Sequence, residues 1–133
     1  MKGELVEVME SVCRGSEAGS MRFPEVVRLL DAAGVEQYHA DLRRSERTYY
    51  LSDGHSHVLA SALGHDSFGA DFSEEGIRRA LDQVQRGKID YAEFCDRITT
   101  AGCTGYIVSI AGRRAIYLGR TGDLYVENFP PVL

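Results

Sequence analysis

Gly19-Ser20-Met21-Arg22-Phe23-Pro24-Glu25-Val26 and Gly87-Lys88-Ile89-Asp90-Tyr91-Ala92-Glu93-Phe94 are two versions of one stretch. Glycine falls on glycine, Met21 on Ile89, Phe23 on Tyr91 and Glu25 on Glu93. The same offset of 68 positions then continues without a gap. Leu30 falls on Ile98, Ala33-Gly34 on Ala101-Gly102, Tyr38 on Tyr106 and Leu42 on Ile110. Further on, Tyr49 meets Tyr117, Gly54 meets Gly122 and Val58 meets Val126. One ungapped register that matches glycines at turns and tyrosines in strands indicates an internal duplication.

Outward from that stretch, each half reads as the same plan. A first helix is predicted over about residues 2–14, with Leu5, Val6, Met9, Val12 and Cys13 at helical spacing. Its counterpart covers about residues 73–85, with Ser73 as N-cap and Glu74-Glu75 in the acid-favouring first turn. The second helix starts near Pro24 in one half and spans about residues 91–100 in the other. Gly34 and Gly102 end these helices in the left-handed position that glycine suits. Glu25 and Glu93 fall in the first turns, where an acid stabilises the dipole.

Alternation then replaces the helical period. Tyr38, Ala40 and Leu42 alternate with His39, Asp41 and Arg43, and Tyr106, Val108 and Ile110 form the apolar side of the copy. Second strands are predicted at residues 47–51 and 114–118, and third strands at about 57–60 and 123–127. Residues 61–72 connect the halves, and Phe129-Pro130-Pro131 ends the last strand. The expected fold is α+β: a duplicated ααβββ unit, with an antiparallel sheet and helices packed on one side. It reads as a single domain over residues 1–133, built of repeats at about 1–60 and 69–128.

With 133 residues, 44% apolar and 26% charged, the composition suits a globular domain with its own core. No stretch approaches the ~20 apolar residues of a membrane span, and the N-terminus lacks a signal peptide's apolar core. A cytoplasmic, soluble protein is the expectation. Cys13, Cys95 and Cys103 form no C-x-x-C pair and read as small buried hydrophobes. The net charge of −5 argues against general nucleic-acid binding.

The segment from Asp82 to Glu93 imitates a calcium loop, with Gly87, Ile89 and Glu93 where the scaffold needs them. Val84 and Arg86 occupy ligand positions, however, and neither offers an oxygen. Calcium is not expected; the glycine serves a tight interhelical turn.

Two constellations can carry chemistry. His39 and Asp41 share a strand face, and His55 and His57 are likewise two apart. If the two sides meet, the set suits zinc, or a general base held by an acid. A solvated sheet face with turn histidines gives the same alternation. The aligned residues of the second half are Ile107, Ser109, Asp123 and Tyr125, so shared structure does not require the set. The second constellation is the hairpin arginines: Arg43, Arg44 and Arg47 in one half, Arg113 and Arg114 in the other. Brought together, they suit a carboxylate, phosphate or acidic partner; ordinary solvated turns also carry such charges.

The segments Phe23-Pro24-Glu25-Val26-Val27, Ala33-Gly34-Val35-Glu36-Gln37-Tyr38-His39-Ala40-Asp41, Tyr91-Ala92-Glu93-Phe94-Cys95, Ala101-Gly102-Cys103 and Tyr117-Leu118-Gly119-Arg120 resemble a family of uncharacterised small bacterial proteins. It is a domain of unknown function, and some members are labelled phage envelope protein. The resemblance covers nearly the whole chain and implies a bacterial or phage-derived origin. It brings no activity, cofactor or catalytic residue.

The leading expectation is a non-enzymatic binding or interaction module, with an exposed sheet edge that suits a homodimer. The rival is a small metal-dependent or histidine-based hydrolase centred on His39, Asp41, His55 and His57. A third reading is contact with an anionic ligand or nucleic acid through Arg43, Arg44, Arg113 and Arg114. Residues shared by the halves are mostly turns, caps and core, so a site belongs where the halves differ.

Overall fold

The computed structural model describes residues 3–130 of the chain. Among them the order is α1 (Gly3–Glu17), α2 (Phe23–Ala32), β1 (Val35–Asp41), β2 (Glu46–Leu51), β3 (Ser56–Ala60), then α3 (Glu74–Gln85), α4 (Tyr91–Thr100), β4 (Cys103–Ser109), β5 (Arg114–Gly119) and β6 (Leu124–Asn128). This is the ααβββ unit twice over. The expected helix start at Lys2, and Pro131 in the tail, lie outside the described residues. The first helix continues to Glu17, past the expected Arg14, and β1 begins at Val35, three residues before Tyr38.

The strands form one antiparallel sheet in the order β3-β2-β1-β4-β5-β6. The two repeats join through β1 and β4, the equivalent first strands. His39 lies opposite Ile107, Tyr38 opposite Val108 and Ala40 opposite Tyr106. His39 and Ile107 are themselves repeat counterparts, so a pseudo-two-fold axis passes through that pair. A duplicated three-stranded sheet has one edge per copy where the first strand is unpaired. Joining those edges satisfies both ladders at once.

The backbone repeats as faithfully as the topology. Left-handed φ values occur at Gly34 and Gly102 (85° and 89°), and again at the non-glycine hairpin residues Ser45 and Arg113 (54° and 52°). The hairpin turns are pinned alike. Asp41 Oδ1 accepts from the amides of Arg43 and Arg44, and its counterpart Ser109 accepts through Oγ from Gly112. Ser73 and Asp90 cap α3 and α4 by accepting from the amides of Gly76 and Glu93. Glu93 itself accepts from Arg97 Nε at 3.2 Å, one turn along the helix. In α2 the N-cap is Arg22, without a side-chain cap, and Pro24 sits in the first turn.

All four helices pack on one face of the sheet, where both repeats feed one core. Met9, Val12 and Cys13 of α1, Leu30 of α2, Ile77 of α3 and Cys95 and Ile98 of α4 are fully buried there. Two cross-strand rows floor this core. One runs Leu59, Arg47, Ala40, Tyr106, Tyr117, Tyr125; the other runs His57, Tyr49, Tyr38, Val108, Ala115, Glu127. Each row is the pseudo-two-fold image of the other. Among the described residues the opposite face carries no helix. Its central row is Val58, Thr48, His39, Ile107, Ile116, Val126. Residues 61–72 cross the helical side, anchored where Glu17 accepts from Ser61 Oγ and the Ala62 amide. No helix among the described residues is long and apolar enough to cross a membrane.

Candidate functional site

The sheet registers separate the histidines. His39 points to the helix-free face, because its neighbours across the ladders are Thr48 and Ile107. His57 pairs with the buried Tyr49 and therefore points to the helical side, at the edge of the sheet. His55 sits in the exposed turn, with Nδ1 3.0 Å from Asp53 Oδ1. His65 lies in the connection between repeats, with Nε2 3.0 Å from Asp96 Oδ1. Asp41 is occupied with the hairpin amides. The set His39, Asp41, His55 and His57 is thus divided between two faces and a turn. Among the described residues no group of three or more His, Cys, Asp or Glu side chains could hold a metal ion. The parity of β3 decides this: His57 alternates with Val58, and Val58 lies in the row of His39.

The arginine tips are also kept apart. Because β1 and β4 run antiparallel, their following hairpins leave from opposite ends of the central pair. Arg44 pairs with Glu46 at 3.2 Å. Arg113 donates to the Pro130 carbonyl and stacks over Phe129, and Arg114 donates to the Gly112 carbonyl. Arg43, beside His39 and Asp41, lines a shallow hollow of about 180 Å³ on the helix-free face.

The fifth arginine of that group behaves differently. Arg47 shares strand parity with Tyr49 and so points into the core, where it is 3% exposed. It is in none of the ion pairs among the described residues, and its buried Nη1 has no hydrogen-bond partner. The small Ala40 next to it in the row lets the side chain reach across β1 toward the second repeat. Its guanidinium carbon lies 5.4 Å from the Tyr38 ring centroid and 5.1 Å from that of Tyr91. Burial opposes the charge on Arg47. Only ionised oxygens of Tyr91, Tyr106, Tyr49 and Tyr38 would raise its pKa, and these tyrosines are uncharged near neutral pH, so the charge rests on the guanidinium's own basicity. The group stays cationic.

Arg47 forms part of the wall of a cavity of about 510 Å³ between the two helical hairpins and the sheet. Repeat counterparts line it from both sides: Gly19 and Gly87, Met21 and Ile89, Phe23 and Tyr91, Val26 and Phe94, Tyr38 and Tyr106. The cavity therefore straddles the pseudo-two-fold axis. Its symmetry is broken where Arg47 faces the cavity from one side and its counterpart Ala115 from the other. The interhelical turns meet over it reciprocally. A side chain on Gly87 would meet the Arg22 guanidinium, and one on Gly19 would meet Asp90, the counterpart of Arg22.

Tyrosine hydroxyls supply further polarity. Tyr91 and Tyr106 share a 2.6 Å hydrogen bond. Burial pushes the hydroxyls of Tyr38, Tyr91, Tyr106 and Tyr117 above their ordinary range, so at neutral pH they are uncharged donors and acceptors. The cysteines are buried in the core, as expected, and burial pushes Cys95 to about 12 and Cys103 to about 11. These thiols are poor nucleophiles.

Residues 70–128 match the family described as protein of unknown function (DUF1398). The DUF1398 match is the second repeat: α3, α4 and the three strands after them. It supplies Tyr91, Phe94, Tyr106 and Tyr117 of the cavity wall, whereas Arg47 stands in the first repeat, outside the matched span. A search of curated proteins gave no match. The arginine was visible in the sequence only as one of five near the hairpins. The signals that single it out are its strand parity with Tyr49 and its disagreement with Ala115.

Proposed function

We propose that the protein is a small-molecule binding module that holds an anionic organic ligand in the cavity between the helical hairpins and the sheet. One observation carries this reading: Arg47 is buried against the cavity without a carboxylate partner. Burying an unpaired charge costs several kcal/mol, and two cation–π contacts offset only part of it. An anion in the cavity supplies the missing countercharge. The volume of about 510 Å³ lies in the range that encloses a drug-sized molecule.

Binding is favoured over catalysis by the chemistry of the wall. Among the described residues it includes no histidine or cysteine. Asp90 is committed to capping α4, and Glu127 accepts from Gln85. Burial holds the tyrosines Tyr38, Tyr91, Tyr106 and Tyr117 neutral, so these hydroxyls are not poised to exchange a proton near neutral pH.

The test is a thermal-shift screen of organic acids against the wild type and Arg47→Met. Acids that bind raise the melting temperature of the wild type in a concentration-dependent way. The same acids leave Arg47→Met unmoved. Equal shifts in both proteins would show that binding does not use this arginine.

A further inference from the structure

Resting on that reading of the cavity, we propose that the ligand class is a planar aromatic monocarboxylate, seated with its acid group on the N–H edge of Arg47 and its ring against the aromatic wall. Charge count selects the valence. Arg47 is the buried cation of the wall, whereas Arg22 and Lys88, which also line it, are exposed at its rim. One negative charge matches one buried positive charge. A dianion would carry a second charge into the interior without a buried partner, and a neutral amide would leave Arg47 uncompensated.

Geometry selects the acid group. Tyr38 and Tyr91 take up the cation–π contacts of the guanidinium, so a ligand in the cavity meets its N–H edge. A carboxylate accepts two parallel N–H bonds along such an edge, in the plane of the guanidinium.

The wall selects the body. Tyr106 and Tyr117 lie with centroids 5.3 Å apart, tilted by 36°, and Phe94 meets Tyr117 edge-on at 6.3 Å. Tyr91 follows Phe94 at 6.3 Å, and Phe23 meets Phe129 edge-on at 5.3 Å on another part of the wall. Such tilted and edge-on arrays accept a further ring by offset or edge contact more favourably than a flexible chain, which must also lose rotamer freedom.

Four probes on the full chain test this by calorimetric titration: 2-naphthoate, 2-naphthamide, 2-naphthyl phosphate and octanoate. Nile red, an uncharged dye, reports on the cavity itself, with Val84→Trp as the variant that narrows the wall. The expected result is that 2-naphthoate binds one per chain, at least tenfold tighter than the other three. It displaces Nile red, and Arg47→Met removes its advantage over the amide while keeping the dye. Nile red bound by the wild type but not by Val84→Trp, together with an equal or tighter phosphate or octanoate, would overturn the ligand class and leave the anion-binding reading standing, whereas an equal or tighter amide would overturn both. Absence of binding by the dye and by every probe would overturn both.

Discussion

The guanidinium carbon of Arg47 lies 5.1 Å from the ring centroid of Tyr91, a side chain of the other repeat. This contact crosses the pseudo-two-fold axis and has no symmetric twin, because Ala115 stands where a second arginine would. Half-formed symmetry of this kind puts one buried cation among the aromatic residues of the cavity wall.

Arg47→Met tests whether that cation serves binding or folding. Methionine keeps much of the volume and removes the buried charge. The expected outcome without ligand is an unchanged or raised stability, by up to about 4 kcal/mol, in chemical denaturation. A loss beyond about 1 kcal/mol would mean that the cation–π contacts hold the fold together.

The converse substitution, Ala115→Arg, restores the symmetry of the duplication at a residue only 3% exposed. A second guanidinium then enters the interior, where the neighbouring carboxylate across the strand, Glu127, is already bonded to Gln85. Stability should fall by about 3 kcal/mol or more, read as a lowered denaturation midpoint. Wild-type stability in this variant would show that Glu127 pairs with the new cation.

The hydrogen bond between Tyr91 and Tyr106 is 2.6 Å long. Tyr91→Phe and Tyr106→Phe should each cost about 1 kcal/mol. The double variant should cost less than the sum, since the second change removes a hydroxyl already without its partner. Strict additivity in the double-mutant cycle would mean that the two hydroxyls do not interact.

Glu17 ties the connection between repeats to α1, accepting from Ser61, the Ala62 amide and Arg14. Burial would raise its carboxyl pKa, but those three hydrogen bonds outweigh it and hold the value below the usual 4.5. A depressed carboxylate stabilises the fold fully above its unfolded pKa and loses that contribution as pH falls through the folded one. Glu17→Ala should therefore cost about 1–3 kcal/mol at pH 7. The gap from wild type should shrink as denaturation is repeated below pH 4.5. A gap independent of pH would assign the loss to packing.

Gly34 and Gly102 share the same left-handed turn, at φ 85° and 89°. Their surroundings differ. A Cβ on Gly34 meets nothing within 4 Å, whereas one on Gly102 would come within 2.4 Å of the Asp71 carbonyl oxygen. Gly34→Ala should cost only the left-handed strain, about 1–2 kcal/mol. Gly102→Ala should cost clearly more, because the backbone of the connecting segment must also shift. Equal losses in thermal denaturation would mean that residues 71–72 yield freely.

The amino-acid order by itself determined the duplication and most of the local structure. Periods of 3.6 and 2, Ser73 as cap and Gly34, Gly54, Gly102 and Gly122 at turns are local properties, written in neighbouring residues. That is why helices, strands and turns emerged within a few positions of their observed ends. Tertiary structure alone decided which side of β2 and β3 the helices would cover and how the halves would join. Alternation already set Tyr38, Ala40 and Leu42 on the apolar side of the first strand, opposite His39 and Asp41, but for the side shared by Arg47 and Tyr49 the strand's own pattern does not say whether it is buried. The antiparallel pairing of β1 with β4 sent the arginine tips to opposite ends, and the pairing of His57 with Tyr49 put it on the face away from His39. The same covering layer took Arg47 out of water and set it against a cavity shared by both repeats. Burial depends on contacts between residues far apart in sequence, and no local pattern records it.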